Sequence, residues 1–392
     1  MESWSTHHLS QQAVDSLGQE RADDLTRYAR HLISNNVAVV FDLAHLAKIT
    51  GVNLEVLRGT VSRIRESANY RMFPVRKRSG GRRFIHAVSA DLFKVQQFVN
   101  REILQKRQPH VSSFAFHPSG GIRKCAMQHC GANWIFQFDL RDFFYDVTEV
   151  DCYRIFRELG YTKLVSFELG RICTTTHLPR RCKRRLHDEQ RAYFTAFESP
   201  ARDHSQTRFF PYRSLSRYDL LGVLAQGAPS SPMLSNLAAR GLDASLNRFA
   251  ITYSFAYTRY ADDITISARH LHGMNRNDVC RQVLERIRKA GFIENRKKTR
   301  VAGPGAKKIV LGLLVDGATP RISKETYRRI DRHLYACTKY GLTATAAHEG
   351  FDSSYGFHNH LGGLIAFVKD VDPVRWNDFI ARFEEIPTPW SA

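Results

Sequence analysis

Acidic residues occur in this sequence at two places where a negative charge would be unfavourable without a bound cation. The segment YADD (260–263) sets two aspartates side by side between β-prone stretches, which predicts a hairpin tip. Asp139 closes the apolar stretch WIFQFDL (134–140), which predicts a strand, and an unpaired carboxylate there would be costly. Adjacent carboxylates repel each other unless a cation is present, although an Asp-Asp pair can also form an ordinary surface turn.

One aspartate at a strand end and two at a neighbouring hairpin can together hold two divalent metal ions about 4 Å apart. Such a pair of ions activates a 3′ or 2′ hydroxyl, neutralises a triphosphate and stabilises the leaving pyrophosphate in an in-line displacement. Mg2+ suits a site of oxygen ligands that must also accept phosphate oxygens. The acidic residues therefore predict nucleotidyl transfer assisted by two Mg2+ ions.

The chain is strongly basic. Its 392 residues include 58 Lys and Arg against 38 Asp and Glu, which gives a formal net charge of +20 and a pI near 9.9. This charge attracts polyanions, so nucleic acid is the expected partner and an anionic membrane surface the alternative. No apolar run is long enough to span a bilayer, no secretion signal is visible, and the seven scattered cysteines fit reduced thiols. These features predict a cytoplasmic nucleic-acid-binding protein.

Apolar spacings of three and four predict the helices of this chain. Such spacing occurs within residues 1–70, over 92–104 and from about residue 316 onward. Another helix is expected from Ser231, and the pair Asp372-Pro373 is typical of the start of a last helix.

Strand patterns occur between these helices. Two β-prone segments flank the turn residues 79–81, a strand is expected at 134–140, and a second hairpin is expected from 251–256 and 257–267. No G-x-G-x-x-G or G-K-[ST] loop is present, so a Rossmann or P-loop fold is poorly supported. An α+β fold, with an antiparallel sheet and helices on one face, suits the pattern better.

Three blocks carry a resemblance to a known family. The segments FDLRDFF (138–144), QGAPSSPMLSNL (226–237) and YADD (260–263), in this order and spacing, resemble those of reverse transcriptases. The resemblance extends over about residues 65–385. It implies a right-hand polymerase fold with fingers, an antiparallel palm sheet and a thumb.

Flanking blocks resemble the bacterial retron-type branch of that family. The segment YRMFPVRKRSGGRRFI (70–85) is similar to the fingers hairpin of the branch. The segment at 116–129 is similar to a block that usually ends Asn-Ala-x-x-His, with Cys125 in place of the Asn. The segment at 310–312 resembles a Val-Thr-Gly block, with Leu311 in place of the Thr.

The resemblance implies four regions. A helical N-terminal extension is expected at 1–65, fingers with the start of the palm at 66–138, the palm at 139–315 and a helical thumb at 316–392. An insertion at about 174–224 interrupts the palm.

The insertion is basic. Residues 171–217 contain 11 Lys and Arg against 4 Asp and Glu. They are expected to contact RNA backbone, to dock a partner or to form a solvated loop. Four potential zinc ligands lack the close Cys-x2-Cys pair of common zinc modules, so free thiols are favoured; these residues are Cys173, His177, Cys182 and His187.

The resemblance also implies roles for single residues. Asp139 and Asp262 match the metal-binding pair, assisted by the backbone carbonyl of Leu140. Asp263 matches the third carboxylate. Lys298, in the segment GFIENRKKT, corresponds to a general acid that could protonate the pyrophosphate.

A second group of residues matches the nucleotide site. Lys77 and Arg83 match fingers residues that grip the triphosphate, although both could belong to a solvated hairpin face. Gln226 and Gly227 match the lining of the nucleotide pocket. Phe144 matches a steric gate that crowds a ribose 2′-OH and favours dNTPs, although the residue could also be core.

A third group is expected to contact nucleic acid. Tyr260 of the YADD segment and Gly312 belong to it. On the expected thumb helix, basic residues lie away from the apolar stripe and either bind the nucleic-acid backbone or form a solvated face; these are Arg328, Arg329, Arg332 and His333.

The resemblance implies an RNA-directed DNA polymerase that uses dNTPs and two Mg2+ ions. It further implies a structured non-coding RNA template, priming from a 2′-OH to give branched RNA–DNA, and anti-phage defence with a separately encoded effector. Oligomers are compatible with the sequence, and no membrane partner is expected. One alternative is another defence-associated reverse transcriptase that makes long or untemplated DNA. A catalytically silent RNA-binding scaffold is a second, against which the three intact aspartates argue.

Overall fold

The computed structural model describes residues 6–76, 82–180, 182 and 221–387. Its helices are α1 (Thr6–Leu17), α2 (Gln19–Ser34), α3 (Leu43–Thr50), α4 (Leu54–Val61), α5 (Glu66–Asn69), α6 (Ala90–Glu102), α7 (Ile122–Met127), α8 (Glu149–Glu158), α9 (Lys163–Ile172), α10 (Ser231–Ala238), α11 (Arg240–Thr252), α12 (Arg276–Lys289), α13 (Lys324–Tyr340), α14 (Leu342–His348), α15 (Ser354–Lys369) and α16 (Pro373–Glu384). Its strands are β1 (Tyr70–Arg76), β2 (Arg82–Val88), β3 (Trp134–Asp139), β4 (Thr174–Thr175), β5 (Val223–Leu224), β6 (Ala256–Tyr260), β7 (Asp263–Ala268), β8 (Arg300–Ala302), β9 (Ile309–Val310) and β10 (Leu313–Leu314).

The chain divides into two compact units. The first consists of Met1–His117, Leu140–Ser245 and Glu285–Glu294. The second consists of Pro118–Asp139, Leu246–Leu284 and Asn295–Ala392. Mixed helices and antiparallel strands confirm the α+β prediction.

The second unit contains a four-stranded antiparallel sheet in the order β6-β7-β3-β8. The strand predicted at 134–140 is β3, which pairs with β7 on one side and β8 on the other. Ile135, Phe136 and Phe138 point to both faces of this central strand and are almost fully buried. Burial on both faces explains the apolar run, and it fixes the position of the acid that ends the strand.

The hairpin predicted from 251–256 and 257–267 is only partly correct. The two arms are β6 and β7, whereas residues 251–252 end α11. Leu242, Leu246 and Phe249 continue a helical spacing through this segment, and all three are buried. The helical face therefore extends to Thr252, and the first strand begins only at Ala256.

Four helices, α13 to α16, surround one apolar core in the second unit, to which β9 and β10 also contribute. The buried residues of this core include Val310, Leu313, Ile330, Leu334, Phe357, Leu361, Ile365 and Phe379. The Asp372 side chain accepts a hydrogen bond from the Arg375 amide at the start of α16, so the predicted Asp-Pro helix start is confirmed.

His333 was predicted on the exposed basic face of α13, and this prediction is wrong. The side chain is buried, and its ring meets the edge of the Phe357 ring at 5.3 Å between centroids. Position 333 lies three residues after Ile330 and four before Cys337, which places it on the apolar face of the helix. Burial lowers the pKa of its imidazole.

The first unit contains the hairpin of β1 and β2, paired from Tyr70↔Val88 to Arg76↔Arg82. Its predicted turn at 79–81 lies outside the described residues. The helix predicted over 92–104 is α6, with Leu92, Val95 and Val99 buried as expected.

A buried ion cluster lies at the end of the N-terminal helices of this unit. The Arg63 guanidinium donates to Glu149 at 2.5 Å and to Glu66 at 2.9 Å, and it also contacts the Thr174 hydroxyl and carbonyl. Glu149 is fully buried and also faces Arg171 at 3.4 Å. Burial opposes the charge on Arg63, but the two carboxylates outweigh it and raise the pKa of the guanidinium. The pairing compensates charges that would otherwise be costly in the interior.

The cysteines agree with the prediction of free thiols, because all seven are unpaired by disulfides. Cys173 and Cys182 are buried, and His187 lies outside the described residues together with most of the basic insertion. Among the described helices, none is long and apolar enough to cross a membrane.

Two adjacent glycines in α15 offer a matched test of helix packing. A Cβ on Gly362 would lie 3.3 Å from the Phe383 ring, whereas one on Gly363 would meet nothing within 4 Å. We expect Gly363→Ala to raise the free energy of unfolding by about 0.5–1 kcal/mol through helix propensity. Gly362→Ala should give a smaller gain or a loss, because the Phe383 ring must move.

Urea titration of both variants and the wild type measures this difference. Equal gains from the two substitutions would contradict the close packing of α15 on α16.

Candidate active site

Two of the predicted acids are paired across the central strands of the sheet. Asp139 is the last residue of β3 and opposes Asp263, the first residue of β7. Asp139 is 4% exposed, whereas Asp263 reaches solvent. Asp262 lies next to them in the two-residue turn after β6, in which Ala261 has a φ of 55°. A positive φ at the first turn position is typical of primed hairpin turns.

Asp139 is held by two side chains from the segment before β8. Its Oδ1 accepts a hydrogen bond from Asn295 Nδ2 at 2.8 Å, and its Oδ2 accepts one from Lys298 Nζ at 2.5 Å. The Asp139 backbone carbonyl also accepts from the Asn295 amide at 2.8 Å. Desolvation opposes the charge on Lys298, but the bond to Asp139 and the neighbouring carboxylates raise the pKa of the ammonium group.

The three aspartates carry more negative charge than the neighbouring Lys298 can compensate. Partial burial, Asp262 and Asp139 together raise the pKa of Asp263 to about 6, against an opposing effect of Lys298. A group of hard carboxylate oxygens with surplus negative charge fits a hard divalent cation. Within the described ranges, no three His, Cys, Asp or Glu side chains are already arranged to hold a metal ion. The fit therefore rests on the chemistry of the donors.

The acids open into a cavity of about 300 Å3 in the second unit. Four residues predicted for the site line it: Asp139, Asp263, Lys298 and Gly312. Gln137, Arg300 and Leu311 also line it, and nothing in the sequence analysis assigned them to the site. One cavity thus combines carboxylates, two cationic side chains and a hairpin turn.

That turn joins β9 to β10. Leu311 and Gly312 both have positive φ, 50° and 85°, as a two-residue type I′ turn requires. Glycine adopts this conformation freely, but Leu311 does so at a cost, so the turn is strained. A Cβ on Gly312 would lie 3.2 Å from the Phe367 ring.

Residues predicted to bind the nucleotide lie in the first unit. Arg83 is exposed on β2, three residues before His86, whose amide donates to the Gln226 carbonyl at 2.8 Å. Gly227 has a φ of 110°, and a Cβ there would lie 2.7 Å from the His86 carbonyl oxygen. Glycine is therefore required where this loop meets β2. Lys77 lies outside the described residues.

Phe144 belongs to an aromatic group in the first unit. It is half-buried, and its ring lies 6.3 Å from that of Phe116 and 5.8 Å from that of Phe143. Phe143 is buried against Phe292 at 5.5 Å, so of the two neighbours it is the core residue. Leu140, whose carbonyl was predicted to assist the metal, is buried and pairs with Glu294 in an isolated β-bridge.

The residues predicted to contact nucleic acid are spread over the second unit. Tyr260 ends β6 opposite Asp263 and is half-buried, and burial raises the pKa of its phenol. On α13, Arg328 and Arg332 are exposed and Arg329 is half-buried. None of these three arginines lines the cavity beside the acids.

The sequence analysis did not predict a buried polar network that contacts β6 and β7, the two strands of the YADD hairpin. His129 Nδ1 lies 2.7 Å from Ser267 Oγ, and its Nε2 lies 2.7 Å from Thr258 Oγ1. Cys125 Sγ donates to the same Thr258 oxygen at 3.2 Å. The block at 116–129 pointed to this histidine, but side-chain partners far apart in sequence leave no periodic signal. The Asn295 bond to Asp139 was missed for the same reason.

Comparisons with known proteins agree with the resemblance of the sequence. The family described as reverse transcriptase (RNA-dependent DNA polymerase) matches residues 185–315. The retron Ec86 reverse transcriptase of Escherichia coli is 28% identical over 85% of this chain and 86% of its own length. The retron Mx65 reverse transcriptase of Myxococcus xanthus is 29% identical over 84% of this chain and 68% of its own length.

Among solved structures, a telomerase from Candida albicans in complex with a fragment of telomeric RNA has a TM-score of 0.37 at 12% identity. The match covers 83% of this chain and 61% of the telomerase chain.

Relatives of this kind synthesise DNA on an RNA template, and reverse transcriptase domains depend on divalent metal. Carboxylates such as those paired across β3 and β7 are ligands of the kind that hard divalent cations take. These similarities, which extend over most of the chain, support a retron-type reverse transcriptase, that is, an RNA-directed DNA polymerase.

Proposed function

We propose that this polymerase copies a structured non-coding RNA into cDNA from dNTPs, with two Mg2+ ions held by Asp139, Asp262, Asp263 and the carbonyl of Leu140. The pairing of Asp139 with Asp263 across adjacent strands, with Asp262 in the turn, carries this proposal. When bound, the ions would lower the pKa of the primer hydroxyl and neutralise the triphosphate.

Lys298 is proposed as the acid that protonates the leaving pyrophosphate. Its raised pKa keeps the ammonium group charged at neutral pH, so a proton is available there. Its place in the cavity beside Asp139 and Asp263 supports this role.

The incoming nucleotide is proposed to bind with its triphosphate on Lys77 and Arg83, its base over Gln226 and Gly227, and its sugar on Phe144. The exposed Arg83 guanidinium can bind phosphate oxygens in a bidentate way. The close contact of Gly227 with the His86 carbonyl supports a backbone that is fixed before the nucleotide binds.

The primer–template is proposed to lie against Tyr260, the strained turn at Gly312 and the arginines of α13. Arg328 and Arg332 are exposed, as phosphate contacts require, and their charge would bind backbone without reading sequence. The net charge of +20 supports a polyanionic partner.

In the cell, the product is proposed to be a branched RNA–DNA primed from an RNA 2′-OH, made in anti-phage defence with a separately encoded effector. Purification from the native locus, followed by separate RNase and DNase digestion of the bound nucleic acid, tests this. We expect a short, discrete DNA joined to one defined RNA. Long, heterogeneous or protein-linked DNA would contradict it and would favour a different defence-associated reverse transcriptase.

The double substitution Asp262→Ala with Asp263→Ala should abolish dNTP incorporation, because the site loses two of its three carboxylates. RNA affinity should stay within about 2-fold, since neither side chain is basic. Primer extension and RNA binding measure the two effects. Asp352→Ala removes an exposed acid of the same unit and serves as the control. Incorporation by the double variant would contradict the proposed role of the acids.

Phe144→Ala should relax the discrimination between dNTPs and rNTPs by on the order of 10-fold or more, because space opens for a 2′-OH. The ratio of kcat/KM values for dCTP and CTP measures this. Phe143→Leu is the matched control, since Phe143 packs against Phe292 and should affect stability without affecting sugar choice. An unchanged ratio in Phe144→Ala would assign this ring to the core.

A further inference from the structure

One buried imidazole connects both strands of the YADD hairpin. His129 is fully buried and contacts Thr258 of β6 through Nε2 and Ser267 of β7 through Nδ1, each at 2.7 Å. The two hydroxyls lie on neighbouring strands at diagonal positions, because Thr258 opposes Thr265 and Ser267 opposes Ala256. The imidazole therefore joins the strands through side chains, in addition to their backbone ladder.

In the neutral form of His129, each of the two ring nitrogens has a hydrogen-bond partner. Burial lowers the pKa of His129 to about 3, so the ring offers one donor and one acceptor. A consistent assignment has Cys125 Sγ–H donating to Thr258, the Thr258 hydroxyl donating to Nε2, and Nδ1–H donating to Ser267. No buried polar atom of these four residues lacks a partner. Cys125 thus supplies a donor at the position that matches the Asn of the retron-type block.

The network lies on the face of the sheet that carries the acids. Thr258 and Tyr260 point to the same face of β6, and Asp263 and Ser267 point to that face of β7. Thr258 is two residues from Tyr260, so the imidazole contact lies about 7 Å along the strand from the end that faces Asp263.

The other end of the network is anchored in the core of the second unit. Cys125 belongs to α7, and its neighbour Ala126 and the nearby Ala132 are part of the apolar core that includes Val310 and Phe357. The Gly131 amide also donates to the Val315 carbonyl at 3.0 Å. The segment that carries His129 is therefore attached to the core, and the His129 ring connects this segment to the hairpin.

We propose that His129 is a positioning residue of the polymerase, which fixes the YADD hairpin so that Asp262 and Asp263 stand correctly opposite Asp139. This inference rests on the proposed role of those acids. Both ring nitrogens are bonded to Thr258 and Ser267, so the ring acts on the acids through these two hydroxyls. Small displacements of a catalytic group reduce rates strongly, so the effect should appear in kcat.

The decisive experiment separates positioning from stability. His129→Leu leaves two buried hydroxyls without their partner, so it should lower both the melting temperature and kcat. The triple variant His129→Leu, Thr258→Val, Ser267→Ala removes those hydroxyls as well, and should recover most of the melting temperature because only the weak thiol donor of Cys125 then loses its acceptor. Its kcat should remain about 10- to 100-fold below wild type, while the KM for dNTPs and RNA affinity change less than about 2-fold.

A second readout does not depend on turnover. Mg2+ alone should raise the melting temperature of the wild type, because it binds the folded acids, and should raise that of the triple variant less. His333→Leu is the matched control: it removes another buried histidine of the same unit, but one that packs on Phe357 in α13. It should reduce stability and leave kcat and the Mg2+ effect unchanged.

The outcomes distinguish this inference from the proposed function. Recovery of kcat together with the melting temperature in the triple variant would overturn the positioning role. The same holds for full activity of His129→Leu when Asp262→Ala with Asp263→Ala is inactive. If that aspartate variant itself keeps incorporating dNTPs, the proposed function fails, and the positioning role fails with it.

Discussion

Repulsion among three carboxylates at one end of a hydrophobic sheet is the constraint on which this structure depends. Asp139 and Asp263 meet because β3 and β7 pair in one register, and a slip of one residue would turn the acids to opposite faces. Asn295 and Lys298 reduce this repulsion locally, because each donates a hydrogen bond to one carboxylate oxygen of Asp139. Asp263 has no comparable compensation, and its raised pKa reflects this. Apolar burial along β3 holds the charges together.

Two tight turns with strained non-glycine residues lie near this charge cluster. Ala261 and Leu311 both adopt positive φ, which costs each about 1–2 kcal/mol relative to an ordinary backbone. Strain of this kind persists only where the surroundings determine the backbone. The ladder of β6 and β7 and the His129 network do so for Ala261, and the apolar core around β9 and β10 does so for Leu311.

The reaction class could be predicted from the sequence because it depends on residue type and spacing. Strand β3 and helix α6 were also predictable, since each has a regular apolar pattern. Residues 251–252 were assigned to a strand because β-branched side chains outweighed the helical spacing that precedes them. His333 was misplaced because charge was given more weight than its position between Ile330 and Cys337. The partners of Asp139 and His129 could not be predicted, because long-range packing alone brings them together. The boundaries of fingers, palm and thumb remain a prediction.

The ion cluster around Arg63 shows that the N-terminal segment and the rest of the enzyme depend on each other. Residues 1–65 read in the sequence as an extension in front of the polymerase, yet Arg63 supplies the counter-charge for Glu149, which is fully buried on α8. A chain shortened at residue 65 would keep the carboxylate and lose its closest cation. The N-terminal helices are thus not an exchangeable accessory, and hybrid enzymes that graft a foreign leader onto this polymerase must carry an arginine at the same place.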